Sequence, residues 1–112
     1  MAMTCVCALA DLWSGEMVAI QIAGRRLLLV RVGDTVFSYD DRCAHQGVAL
    51  SKGTLSGTTL TCSAHGWEYD VATGQGTNPC GVVLRSYPVR IVGEQIWVDL
   101  DPQSAIGEGA SI

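Results

Sequence analysis

Cys43-Ala44-His45-Gln46-Gly47 and, after sixteen residues counted from His45, Cys62-Ser63-Ala64-His65-Gly66-Trp67 decide how this chain is read. The protein has two histidines in all, and each lies a few residues after one of these cysteines. Thiolate suits soft metal centres and imidazole suits iron, zinc and copper, so Cys43, His45, Cys62 and His65 form a candidate metal-ligand set. Gly47 and Gly66 let the backbone turn closely around an inorganic group and present N–H donors to it. Four unliganded side chains would leave the clustering of both histidines unexplained.

The flanks read as strands. On the N-terminal side these are Met17–Ile22, Arg25–Val32 and Val36–Tyr39, joined by turns at Ala23-Gly24 and Gly33-Asp34. On the C-terminal side, Thr54-Leu55 and Thr58–Thr61 form hairpin arms around Ser56-Gly57. Trp67–Val71 is a strand stopped by Thr73-Gly74, and Tyr87–Val92 pairs with Gln95–Leu100 across Gly93-Glu94. Cys5 and Cys7 alternate along a first strand. Thirteen glycines and the lack of a long 3.6-period segment predict an all-β antiparallel sandwich or barrel, with at most a helical turn near Ala10–Trp13. Trp13 and Trp97 are expected in its core.

The length of 112 residues predicts one domain spanning 1–112. Within it, a metal-binding lobe of about 41–70 would be inserted into a base formed by 1–40 and 71–100, with a small, polar, loosely held tail over 101–112. A formal net charge of −4 argues against a nucleic-acid partner. No apolar run approaches the ~20 residues needed to cross a bilayer, so no membrane partner is expected. Met1–Leu12 lacks a basic start, and Asp11 interrupts it, so a cytoplasmic location is expected. Cys5, Cys7 and Cys80 remain outside the motif, an odd number and a poor disulfide framework.

The metal itself is narrowed by how the ligands pair. Structural zinc sites place Cys-x2–4-Cys before His-x3–5-His, like with like, whereas here each short pair is mixed. Mixed pairs suit a dinuclear centre in which each loop sends a cysteine to one iron and a histidine to its neighbour, the ligand set of one [2Fe–2S] cluster of the His2Cys2 kind. A zinc-stabilised binding module stays the alternative.

The stretch Cys43-Ala-His45 … Cys62-Ser-Ala-His65-Gly-Trp67-Glu-Tyr69-Asp70-Val-Ala-Thr73-Gly74 … Asn78-Pro79, continued by Tyr87-Pro88-Val89-Arg-Ile91 and Ile96-Trp-Val98, resembles the Rieske ferredoxin family over nearly the whole chain. Asp11-Leu12-Trp13-Ser14-Gly15-Glu16-Met17 and the Cys-x-His-Gln at the first ligand pair are most similar to ferredoxins of toluene and alkene (isoprene-type) monooxygenases. That resemblance implies a one-electron carrier between an NADH-dependent flavoprotein reductase and a di-iron hydroxylase, and a monomer suits such a shuttle. It also implies that Gln46, Gly47, Ala64, Gly66, Trp67 and Pro79 lie around the cluster behind its ligands. High-potential members of the family carry an extra cysteine in each loop, where this chain has Val48 and Ala64, and a serine where it has Trp67. Fewer hydrogen bonds to sulfur imply a potential near the low end of the Rieske range.

Both histidines are consumed by the cluster, leaving none for a two-His, one-carboxylate iron site, and no Gly-rich dinucleotide fingerprint is present. No catalytic residue is therefore expected. The ferredoxin of a ring-hydroxylating dioxygenase, a small nitrite-reductase-type subunit and a redox sensor are the remaining readings. Asp40, Asp41, Glu68 and Asp70 lie close in sequence to the ligands, with only Arg42 and Lys52 as nearby positive charge. They suggest either an acidic docking rim or ordinary solvated turn residues.

Overall fold

Leu27-Leu28-Leu29-Val30 is a run of four consecutive residues with no solvent exposure. Successive side chains of a strand point to opposite faces, so such a run requires a strand covered on both sides. It lies at the centre of Arg25–Val32, and the molecule is layered around it. The computed structural model describes residues 3–43, 48–63, 66–78 and 81–100.

Among the described residues the strands are β1 (Met3–Ala8), β2 (Met17–Ile22), β3 (Arg25–Val32), β4 (Thr35–Asp40), β5 (Thr54–Ser56), β6 (Thr59–Thr61), β7 (Glu68–Asp70), β8 (Gly76–Asn78), β9 (Ser86–Tyr87), β10 (Val89–Val92) and β11 (Gln95–Asp99). All pair antiparallel, in three sheets ordered β1-β11-β10, β2-β3-β4-β9 and β5-β6-β7-β8. Leu27 and Leu29 pack with Leu12, Val36, Tyr87, Ile96, Val98 and Leu100 in a core between the first two sheets. Leu28 and Val30 turn the other way, to Tyr39, Leu50, Leu60, Tyr69, Val71 and Leu84, with Cys43 and Cys62 in the same cluster. The middle sheet is thus a shared wall between the base and the lobe.

The all-β expectation is realised, with local departures that have physical causes. The strand expected over Tyr87–Val92 divides into β9 and β10 at Pro88, which lacks the N–H a ladder needs. The lobe sheet gains β8, and its strands extend to Asn78, past residue 70. The helical turn covers Leu9–Asp11, and a second one, Leu50–Lys52, enters the lobe. Trp13 is not in the core: it is 70% exposed, while Leu12 beside it is 1% exposed. Its indole N–H donates to the Ala10 carbonyl (3.1 Å) and its backbone N–H to Glu16 Oε1 (2.7 Å), so its polar groups are satisfied on the outside. Trp97 is half-buried, on the face of β11 opposite Ile96 and Val98, which supply the inward contacts.

Two contacts fasten the lobe to its wall. The Tyr39 hydroxyl donates to the Val71 carbonyl at 2.5 Å. The Asp41 carboxylate, fully buried, accepts from Arg26 Nε (2.8 Å), the Ser51 N–H (2.7 Å) and Ser51 Oγ (2.8 Å), joining β3 to the Leu50–Lys52 turn. At a covered site, three donors on one carboxylate offset the cost of removing its charge from water.

Candidate metal centre

The two cysteines of the motif end up in equivalent settings. The Cys43 N–H donates to the Val48 carbonyl (2.7 Å) and the Cys62 N–H to the Trp67 carbonyl (2.8 Å), so each loop is closed by a bond reaching five residues ahead. Cys43 and Cys62 are each 2% exposed and belong to one buried cluster with Leu60, Tyr69 and Leu84. The β6–β7 pairing, Thr61 opposite Glu68 and Leu60 opposite Tyr69, brings the two ends of the second loop together. Gly66, at φ +71°, takes a backbone conformation that few side chains tolerate, and its N–H donates back to the Cys62 carbonyl (3.2 Å). Val48 and Trp67 are partly buried against the same cluster.

Tyr69 contributes more than packing. Its hydroxyl lies 3.2 Å from Cys43 Sγ. When Cys43 is a metal-bound thiolate, only the phenol can donate in this pair, so Tyr69 stabilises negative charge on that sulfur. The sequence reading placed Tyr69 on a strand beside the second loop and missed that its hydroxyl reaches the first. The available signal was its two-residue offset from Trp67 on an alternating strand.

Gly53 supports the site from below. A Cβ there would stand 2.1 Å from the Thr61 carbonyl oxygen, so the Leu50–Gly53 segment lies directly against β6, one residue from Cys62. Of the remaining sequence-assigned residues, Ala44, His45, Gln46, Gly47, Ala64, His65, Pro79 and Cys80 lie outside the described residues.

Of the four acidic residues close in sequence to the ligands, Asp40, Glu68 and Asp70 are half-buried and only Asp41 is covered. Asp41 is buried, Asp40 accepts from the Tyr87 hydroxyl (2.5 Å), and Asp70 caps its own turn through the Ala72 N–H (2.9 Å). Tyr39 is pushed up to about 12 by burial and then by the charge of Asp70. Tyr87 is raised by burial and by its bond to Asp40. Away from the centre, burial, with Asp11 and Cys5 nearby, raises the Cys7 thiol.

Paired loops, each presenting a buried cysteine thiol to one core, fit a cluster with sulfur donors on one iron. The Rieske [2Fe–2S] domain profile matches residues 2–88. The chain belongs to the Rieske family. Its cofactor is accordingly one Rieske-type [2Fe–2S] cluster. The chain is 38% identical over 104 residues to the ferredoxin component of the alkene monooxygenase system of Xanthobacter autotrophicus, covering 92% of this chain and 85% of the relative. It is 34% identical over 102 residues to the ferredoxin component of biphenyl 2,3-dioxygenase from Rhodococcus jostii, covering 90% and 95%. Among solved structures, the ferredoxin of carbazole 1,9a-dioxygenase from Nocardioides aromaticivorans superposes with a TM-score of 0.80 at 30% identity, over 88% of this chain and 97% of the other. These Rieske relatives are named as ferredoxin components, carriers within oxygenase systems rather than oxygenases. No helix among the described residues is long and apolar enough to cross a membrane.

Proposed function

We propose that Cys43 and Cys62 hold one iron of the cluster and His45 and His65 the other, and that the chain is a one-electron carrier from an NADH-dependent flavoprotein reductase to a carboxylate-bridged di-iron hydrocarbon hydroxylase. The observation that carries this reading is the burial of Cys43 and Cys62 in one core, on two loops with the same closing bond. When bound, the cluster supplies a centre that takes up and gives back one electron. The chain's own residues set the conditions for that exchange. Leu60 and Leu84 keep water from the sulfur side, Val48 and Trp67 pack partly buried around it, and Tyr69 donates to Cys43.

The di-iron partner is supported by the 38% identity to an alkene monooxygenase component. The 34% identity to a biphenyl dioxygenase component keeps a ring-hydroxylating dioxygenase as the second reading. A monomer in the cytoplasm suits a shuttle that must meet two partners in turn. The test is the visible absorption and low-temperature EPR spectrum of the purified protein before and after dithionite. A brown protein that bleaches and gives a Rieske-type signal, average g below the free-electron value, is expected. A colourless protein holding zinc overturns the reading. Turnover with reconstituted hydroxylases then separates the two partner classes.

A further inference from the structure

The strongest unassigned feature is a cleft of about 510 Å³ where the base meets the lobe. Four of the seven cationic side chains of the protein line it: Arg25, Arg26, Arg42 and Arg85. They come from three separated stretches, the start of β3, the entry to the first cysteine loop and the entry to β9, so only folding assembles them.

We propose that this cleft is a docking surface for an acidic segment of a protein partner, its carboxylates taken by Arg42 and Arg85. Two aspartates also line the cleft, but both are turned to internal duties. Asp41 is saturated by Arg26 and Ser51, and Asp40 receives the Tyr87 hydroxyl. Arg25 is occupied too, donating to the Leu100 carbonyl. Arg42 and Arg85 are exposed and have no carboxylate partner among the described residues. Arg85 is held over the Tyr87 ring, 5.8 Å from its centroid, which restricts its side chain before any ligand arrives. Four arginines against two aspartates leave the cleft formally at +2, on a chain whose net charge is −4. Guanidinium forks bind carboxylates bidentately, which favours this occupant over a cationic one. A cleft of this size takes several side chains rather than one small anion. Arg42 adjoins Cys43, so a partner seated here lies beside the first cysteine loop. The identity of the partner as a redox protein rests on the carrier reading; the charge chemistry does not.

The experiment titrates the cluster-loaded protein with a short poly-L-glutamate peptide by calorimetry and compares R42E/R85E, R42Q/R85Q and a control, K52E/R90E, which makes the same charge change outside the cleft. The expected result is binding weakened by about tenfold or more in R42E/R85E, less in R42Q/R85Q, and within about twofold of wild type in the control. Equal weakening in both charge-reversed proteins overturns the proposal, because it reports net charge alone. So does absence of binding to the wild type, or displacement by equimolar inorganic phosphate, which marks a small-anion site. The cluster spectrum, recorded on the same samples, reads the carrier assignment independently of peptide binding.

Discussion

The base and the lobe share one wall but are held in different ways. In the base, β2 and β3 pair over six residues and β3 and β4 over another six, and the core between the sheets is aliphatic apart from Tyr87. In the lobe every strand is three residues long, and the core contains two cysteines and two tyrosines. Short strands bury little area and close few ladder bonds, so the lobe needs other fastenings. It has the Asp41 carboxylate, the Tyr39–Val71 bond, the close approach at Gly53 and the metal. The base is a sandwich that stands on burial, whereas the lobe adds polar contacts and the metal to its buried core.

The sharpest way to break this comparison is Cys62→Ser, which removes a proposed ligand. Complete loss of cluster absorbance is expected, with amide exchange accelerating across β5–β8 while β2–β4 stay protected. Uniform exchange in both regions would show one cooperative unit instead. Gly53→Ala comes next. Its Cβ meets backbone rather than a movable side chain, so about 3 kcal/mol or more of destabilisation is expected in denaturant unfolding, with the lobe opening first.

Asp41→Ala tests the fastening between regions. It strands the Ser51 donors and releases Arg26, whose own side chain is half-exposed, so a loss of about 2–3 kcal/mol is expected, measured by chemical denaturation. Tyr69→Phe should spare the fold and act on the cluster. The lost donor stabilised the more negative reduced state, so the midpoint should fall, by about 40 mV for each ~1 kcal/mol of differential hydrogen bonding. Redox titration reads it, and an unchanged midpoint would assign Tyr69 to packing alone.

Alkaline pH gives a further test. The Tyr39 phenol is held neutral by burial up to about 12 in the fold, against its usual 10 when unfolded. Its contribution is therefore intact below about pH 10 and is lost as pH rises toward about 12. Wild type should lose stability over that window more steeply than Tyr39→Phe, as measured by denaturant midpoints.

Much of this was written in local pattern. β2 and β3 have the expected bounds, because Ala23-Gly24 punctuates a two-residue turn and the strands it joins are long and apolar. The two cysteines of the motif are buried together in one core. The lobe was less legible, since a three-residue strand such as β8 is too short to establish a period. Trp13 and Leu12 show the same limit at single-residue scale, for which of two adjacent apolar residues faces inward depends on a turn closed by Glu16.

The sequence by itself determined the all-β class, the main strands and the metal-ligand motif, because these follow from periodicities and spacings within a few residues of each other. Only the tertiary structure decided the direction of charge. Asp40 and Asp41 stand next to the first ligand loop in sequence, yet the fold draws both inward to Tyr87, Ser51 and Arg26. It then gathers Arg25, Arg42 and Arg85 from three separate stretches into the cleft that these two aspartates also line. A carboxylate points to whichever donors folding brings within reach, and those donors lie 10 to 47 residues away along the chain.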